Sequence, residues 1–274
     1  MKFAICNETF KDWPFDKAFA FAAECGYTGM EIAPFTLANY ATEISAQQRQ
    51  EVCKLAEDTG LEVVGLHWLL AKTEGFYLTS PDADVRRRTS DYFIELARLC
   101  ADLGGKILVC GSPKQRDILP GVTHAQAMDY AAEVFGRALP AFEQYDVTAA
   151  LEPLGPEETN FLVTTAETVQ LIERFGSPHV RLHLDCKAMS TESTPVPDLI
   201  RQYHGLTAHF HANDPNRQGP GFGKLEFVPI LRALGEVDYR GWVSVEVFDY
   251  TPGIERLAAE SLSNLQRDLC LAAG

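Results

Sequence analysis

Residues 206–217, LTAHFHANDPNR, decide how the rest of the chain is read. A short apolar run ends in two alternating histidines, His209 and His211, then breaks into Asn213, Asp214 and Pro215, which cannot continue a strand. Residues two apart share one face of a strand, so both imidazoles point the same way as the strand runs out into a loop. A histidine at the carboxyl end of a strand, followed at once by a polar loop, is where an α/β barrel carries catalytic and metal-binding groups.

Outward from this stretch the same unit repeats. Short apolar runs at residues 3–6, 30–32, 61–66, 106–110, 148–152, 180–185 and 242–246 read as strands. Helical spacing follows at 15–25, 45–59, 80–103, 124–145, 165–175, 197–203, 227–234 and 252–271, with Gly26, Gly60 and Gly104 as stops and Ser80 or Asp82 as a cap. Eight strand-then-helix units without a linker predict one parallel (β/α)8 barrel, the TIM-barrel architecture, over residues 1–274. The G-x-G-x-x-G fingerprint of an open nucleotide-binding sheet is absent after the first strand. The glycine-rich GPGFG at residues 219–223 falls in the seventh loop and reads as a flexible active-site loop.

The 24 basic and 38 acidic side chains leave a formal net charge of −14, the opposite of the clustered positive charge that offsets phosphates, so no nucleic-acid partner is expected. Seven scattered cysteines without a C-x-x-C pair read as thiols of a reducing compartment. The apolar runs are too short for a signal peptide or a membrane helix, which predicts a cytoplasmic protein with no membrane partner. No multi-basic stretch marks a phosphate site, so an unphosphorylated small molecule is the expected substrate. Exposed barrel helices commonly pair, so a homo-oligomer is compatible with this reading.

Four strands finish on a metal-ligand side chain: Glu152, Asp185, His211 and Glu246. A carboxylate ending an apolar strand is costly unless paired or bound to a cation. One such residue means little. Four on successive strands, all delivered to one face, point to a common centre. Three carboxylates and an imidazole suit Mn²⁺, Mg²⁺ or Co²⁺, with Zn²⁺ also compatible. His209 and His183, two residues below His211 and Asp185, are expected to be hydrogen-bonded supports, and His67, ending the third strand, is expected at the substrate wall. Asn213 and Asp214 divide evenly between support and loop formation. Trp13, Trp68, Phe76, Phe222 and Phe248 lie in loops at strand ends, where aromatics stack on sugar rings or simply cover the core.

The segments LEPLGPEE around Glu152, HLDCKAM around Asp185, HFHANDPNR around His211 and SVEVF around Glu246 resemble the xylose-isomerase-like sugar isomerases and epimerases, in particular the ketose 3-epimerase branch. The resemblance implies that Glu152, Asp185, His211 and Glu246 bind one divalent ion, Mn²⁺ foremost. It implies further that Glu152 and Glu246 act as acid and base beside the carbonyl of a keto sugar, through an enediolate. It makes Glu158 and Arg217 substrate contacts. The sequence departs from the family at Ala188, where a histidine commonly faces the substrate, and leaves Lys187 as a candidate replacement donor. That departure keeps open a metal-dependent lyase or deglycosidase acting on a keto-glycoside, and beyond it a non-catalytic sugar-binding barrel. The abasic-site endonucleases of the same superfamily hold three zincs with additional histidines. Cys110 at a strand end and the acidic charge point away from them.

Overall fold

In the computed structural model, which describes residues 1–274, eight parallel strands pair in chain order. They are β1 (Lys2–Cys6), β2 (Gly29–Ile32), β3 (Glu62–Leu66), β4 (Ile107–Cys110), β5 (Thr148–Leu151), β6 (Val180–Asp185), β7 (Thr207–Ala212) and β8 (Trp242–Val245). The last pairs back onto the first, Lys2 opposite Trp242 and Ile5 opposite Val245, which closes the barrel and leaves no free edge. Around it run α1 (Phe15–Cys25), α2 (Ala46–Thr59), α3 (Ala83–Asp102), α4 (His124–Tyr145), α5 (Thr165–Ile172), α6 (Cys186–Met189), α7 (Val196–Tyr203), α8 (Phe227–Glu236) and α9 (Ile254–Ala273). Their apolar faces join the strands in one continuous buried cluster. No helix is long and apolar enough to cross a membrane.

The helix ends follow their local chemistry. Ser45, Asp82, Thr123 and Thr164 accept amide hydrogens at the starts of α2, α3, α4 and α5. Gly26 and Gly60 take the left-handed conformation that ends α1 and α2. The helix expected to reach Phe175 stops at Ile172, because the chain tightens there into i→i−3 turns before left-handed Gly176. Strands β5 and β8 end one residue short of Glu152 and Glu246. Both glutamates are therefore the first residues of their loops. The single turn α6 was not legible in the apolar pattern. Asp185 nucleates it by accepting the Ala188 amide at 2.7 Å.

Two features aim the site. In the β6–β7 register Asp185 stands opposite His211 and His183 opposite His209. The GPGFG loop does not behave as a flexible active-site loop. Asn264 donates to the Pro220 carbonyl at 2.9 Å, Asn216 donates to that of Phe222 at 3.0 Å, and a Cβ on Gly223 would lie 1.8 Å from Asp214 Oδ1. The loop is pinned against α9 and the β7 turn, outside the cavity described below.

Candidate active site

The four strand-end residues meet above the barrel. Ligand atoms of Glu152, Asp185, His211 and His183 lie within 4.8 Å of one another, all buried. Glu246 approaches His211 from the β8 side, its Oε2 3.1 Å from Nδ1. Asn213, at the end of the opening stretch, ties two of these loops together. Its amide donates to Asp185 Oδ2 at 2.5 Å, and its side-chain oxygen accepts the Lys187 backbone amide at 2.9 Å. Asn213 is thus a support, whereas Asp214 is a loop former that accepts the Leu225 amide at 3.0 Å.

Burial, then the charges of Asp185 and Glu246, push the Glu152 carboxyl well above the usual carboxylate range. Burial likewise raises Asp185. Burial acts most strongly on Glu246 too, but His211, His67 and the Trp68 indole together outweigh it and hold that carboxyl low. Crowded carboxylates of this kind are relieved by a cation, and the oxygen-rich donor set fits a hard or borderline divalent ion. His211 Nε2 is turned away from this cluster and lies 3.2 Å from both oxygens of Glu31, leaving Nδ1 toward Glu246. Glu31 also receives His209 Nε2 at 2.6 Å. Despite complete burial, the two imidazoles hold Glu31 well below the usual range. A carboxylate that fixes the tautomer and orientation of a metal-facing imidazole is the usual outer partner in such centres. His209 therefore supports His211 through Glu31 rather than directly.

His67 does not reach the substrate wall. It is fully buried, its Nε2 3.0 Å from Glu8 Oε2 and its Nδ1 3.7 Å from Glu246 Oε1, and burial lowers its pKa to about 4. The chain turns as β3 ends, so the next residue takes the wall. Trp68 lines the cavity and donates its indole N–H to Glu246 Oε1 at 2.9 Å. His183 is buried as expected, but neither ring nitrogen has a hydrogen-bond partner, and Nε2 lies 3.8 Å from Glu152 Oε1.

Beside the centre opens a cavity of about 400 Å³, whose wall includes Glu152, Glu158, Lys187, Arg217 and Glu246 with the rings of Phe35, Trp68 and Phe248. Arg217 sits in a left-handed turn, and its carbonyl accepts the amides of Phe248 and Asp249 at 2.8 and 2.9 Å, which fixes the β7 loop to the β8 loop. The Ala188 methyl is buried, and Lys187 reaches the cavity in its stead, paired to Glu158. Of the other loop aromatics, Trp13 packs on Phe10 and Phe21, Phe76 stacks on Tyr92 at 4.4 Å, and Phe222 lies outside this cavity.

Three contributors escaped the sequence reading. Glu31 sits inside an apolar strand run, a signal equal to that of Glu152. Glu8 follows β1 in the short polar turn Asn7–Phe10, and burial raises its carboxyl well above the usual range. Arg116 carries no sequence signal at all. It is fully buried, donates to the Glu152 carbonyl at 2.9 Å, and burial lowers it to about 10. Gly111 adds a steric condition, since a Cβ there would lie 1.5 Å from Glu152 Oε2. Gly111→Ala is expected to displace that carboxylate. Divalent-ion affinity should fall at least tenfold while circular dichroism stays native, and unchanged affinity would contradict the placement.

A family model described as "Xylose isomerase-like TIM barrel" matches residues 19–268. The D-psicose 3-epimerase of Enterocloster bolteae is 26% identical over 252 residues, covering 87% of this chain and 79% of its own. The 3-dehydro-D-guloside 4-epimerase of Escherichia coli K12 is 24% identical over 275 residues, covering 98% and 97%. The crystal structure of D-psicose 3-epimerase with D-tagatose from Clostridium cellulolyticum H10 superposes with a TM-score of 0.86 at 22% identity, covering 98% of this chain and 99% of that one, which is a likeness of fold.

Proposed function

The chain belongs to the xylose isomerase-like TIM-barrel family, and from that premise we propose that it is a divalent-metal-dependent sugar epimerase or isomerase acting on a keto sugar. The observation that carries the reading is the meeting of Glu152 and Glu246, from β5 and β8, beside Asp185 and His211 on one cavity. Glu152, Asp185, His211 and Glu246 would hold the ion, Mn²⁺ first among Mg²⁺, Co²⁺ and Zn²⁺. When bound there, such an ion supplies Lewis acidity, drawing charge from a carbonyl oxygen so that the neighbouring C–H becomes acidic.

The protein does the rest. One glutamate removes the proton beside the carbonyl and the other returns it from the opposite face, through an enediolate. Trp68 holds Glu246 by its indole N–H, and Arg116 holds the backbone of Glu152. The rings of Phe35, Trp68 and Phe248 exclude water and offer faces to the sugar's C–H groups. Glu158 and Arg217 take hydroxyls. A cytoplasmic location accords with seven free cysteines.

The test is a deuterium-exchange screen over keto sugars with Mn²⁺ added, followed by product analysis. Exchange at the carbon beside the carbonyl with formation of an epimer or isomer is expected, and its loss with EDTA should be reversed by Mn²⁺. An unsaturated sugar with a released aglycone would establish elimination instead. Absent tight divalent binding would leave only a sugar-binding barrel.

A further inference from the structure

The geometry points to an anionic substrate: a keto sugar that carries a carboxylate or phosphate. This rests on the epimerase reading and adds the charge class of the molecule it takes.

The chain as a whole is acidic, with a formal net charge of −14, yet the cavity wall reverses the sign. Its charged side chains are Lys72, Lys114, Lys187 and Arg217 against Glu152, Glu158 and Glu246. Glu152 and Glu246 belong to the proposed ion centre, where with Asp185 they would set three negative charges against the two of a divalent cation. What faces the remaining space is four cations and one carboxylate, Glu158. Only Lys187 of the four is paired, to that same Glu158. Lys72 and Lys114 make no ion pair, and Arg217 makes none at contact distance, although it acts on the exposed Asp249 carboxyl.

The four follow different strands, β3, β4, β6 and β7, with Lys187 on α6, which is why no basic motif shows in the sequence. Three of them are seated on aromatic rings of the wall. Lys72 Nζ lies 4.6 Å from the Phe35 centroid, and Lys187 Nζ and the Arg217 guanidinium lie 5.4 and 5.9 Å from that of Phe248. An aromatic face positions a cation without cancelling its charge, as a carboxylate would. Lys72, Lys114 and Arg217 are solvent-exposed, so water screens their mutual repulsion, and what they offer an anion is a positive cleft mouth. Clefts lined by one sign of charge also concentrate the opposite ion from solution. Arg217 brings in addition the planar fork that matches carboxylate and phosphate oxygens. The hydroxyls of a neutral ketose would use Arg217 but do not call for Lys72 and Lys114 as well.

The experiment compares a ketohexose, its 6-phosphate and its 6-carboxylate on the Mn²⁺-loaded protein, measuring both calorimetric dissociation constants and deuterium incorporation. At least one anionic sugar is expected to bind tenfold or more tightly than the neutral one, and raising the salt concentration should shrink the difference. The Lys72→Ala/Lys114→Ala double variant should lose more affinity for that anion than for the neutral ketose. A preference for the phosphate or for the carboxylate tells the two sources apart, and either one supports the assignment. Equal binding of all three sugars, or a preference for the neutral one, overturns it. Failure of the epimerase reading shows separately, as absent exchange with every sugar, while the charge preference is still read from the dissociation constants.

Discussion

Replacing either Glu152 or Glu246 by glutamine is expected to lower deuterium incorporation beside the sugar carbonyl by about 10²–10⁴-fold, the share that a positioned acid or base supplies. Glutamine keeps the shape and one oxygen donor of each side chain, so the loss reports on proton transfer more than on packing. The two variants should differ in stability, and the difference tells chemistry from unfolding. In the metal-free protein, burial and the charges of Asp185 and Glu246 penalise the ionised form of Glu152. The neutral form is thereby favoured, so Glu152→Gln gives up little and its melting temperature is expected to hold. Glu246 is in the reverse position, held ionised by His211 and Trp68, so Glu246→Gln gives up attraction and should melt lower. Mn²⁺ content measured on both variants separates a missing base from a missing ion. Exchange retained in both would sink the assignment of the acid–base pair.

The four strand-end residues could be found in the sequence because a parallel barrel makes every strand deliver its carboxyl end to one rim. A periodic apolar run and the polar residue that stops it locate each of them without any long-range information. The bounds of α1, α4 and β6 were legible for the same local reason: their caps and stops lie within the segment. Local signals weaken where the chain leaves the strand. His67 and Trp68 are adjacent, and the alternation that would say which faces inward ends with β3 at Leu66. Glu31 was hidden differently. Its meaning depends on His209 and His211, five strands further along the chain but directly within reach across the closed barrel. Of the cations of the cavity wall, Arg217 and Lys187 were legible through the resemblance, whereas Lys72 and Lys114 were hidden by dispersal.

Glu31 is the residue whose removal should reveal most about the opening stretch. Its carboxylate accepts from both histidines of that stretch, and so fixes which nitrogen of His211 faces the centre. Glu31→Gln keeps the volume but removes the charge, and a single amide cannot accept from both imidazoles as well as a carboxylate does. Loss of such an outer partner typically weakens metal binding about 10–100-fold, and a fall of that size in Mn²⁺ affinity, measured calorimetrically, is the expected result. Breaking a buried ion pair by removing one partner costs about 3–5 kcal/mol, so the variant should also melt well below the parent protein. Glu8→Gln provides the contrast. Burial already favours the neutral form of Glu8, so the substitution replaces one neutral group by another and should change melting far less. Mn²⁺ affinity in Glu31→Gln within twofold of the parent would show that His211 keeps its orientation without this carboxylate, and the support would then have to come from the β6–β7 register alone.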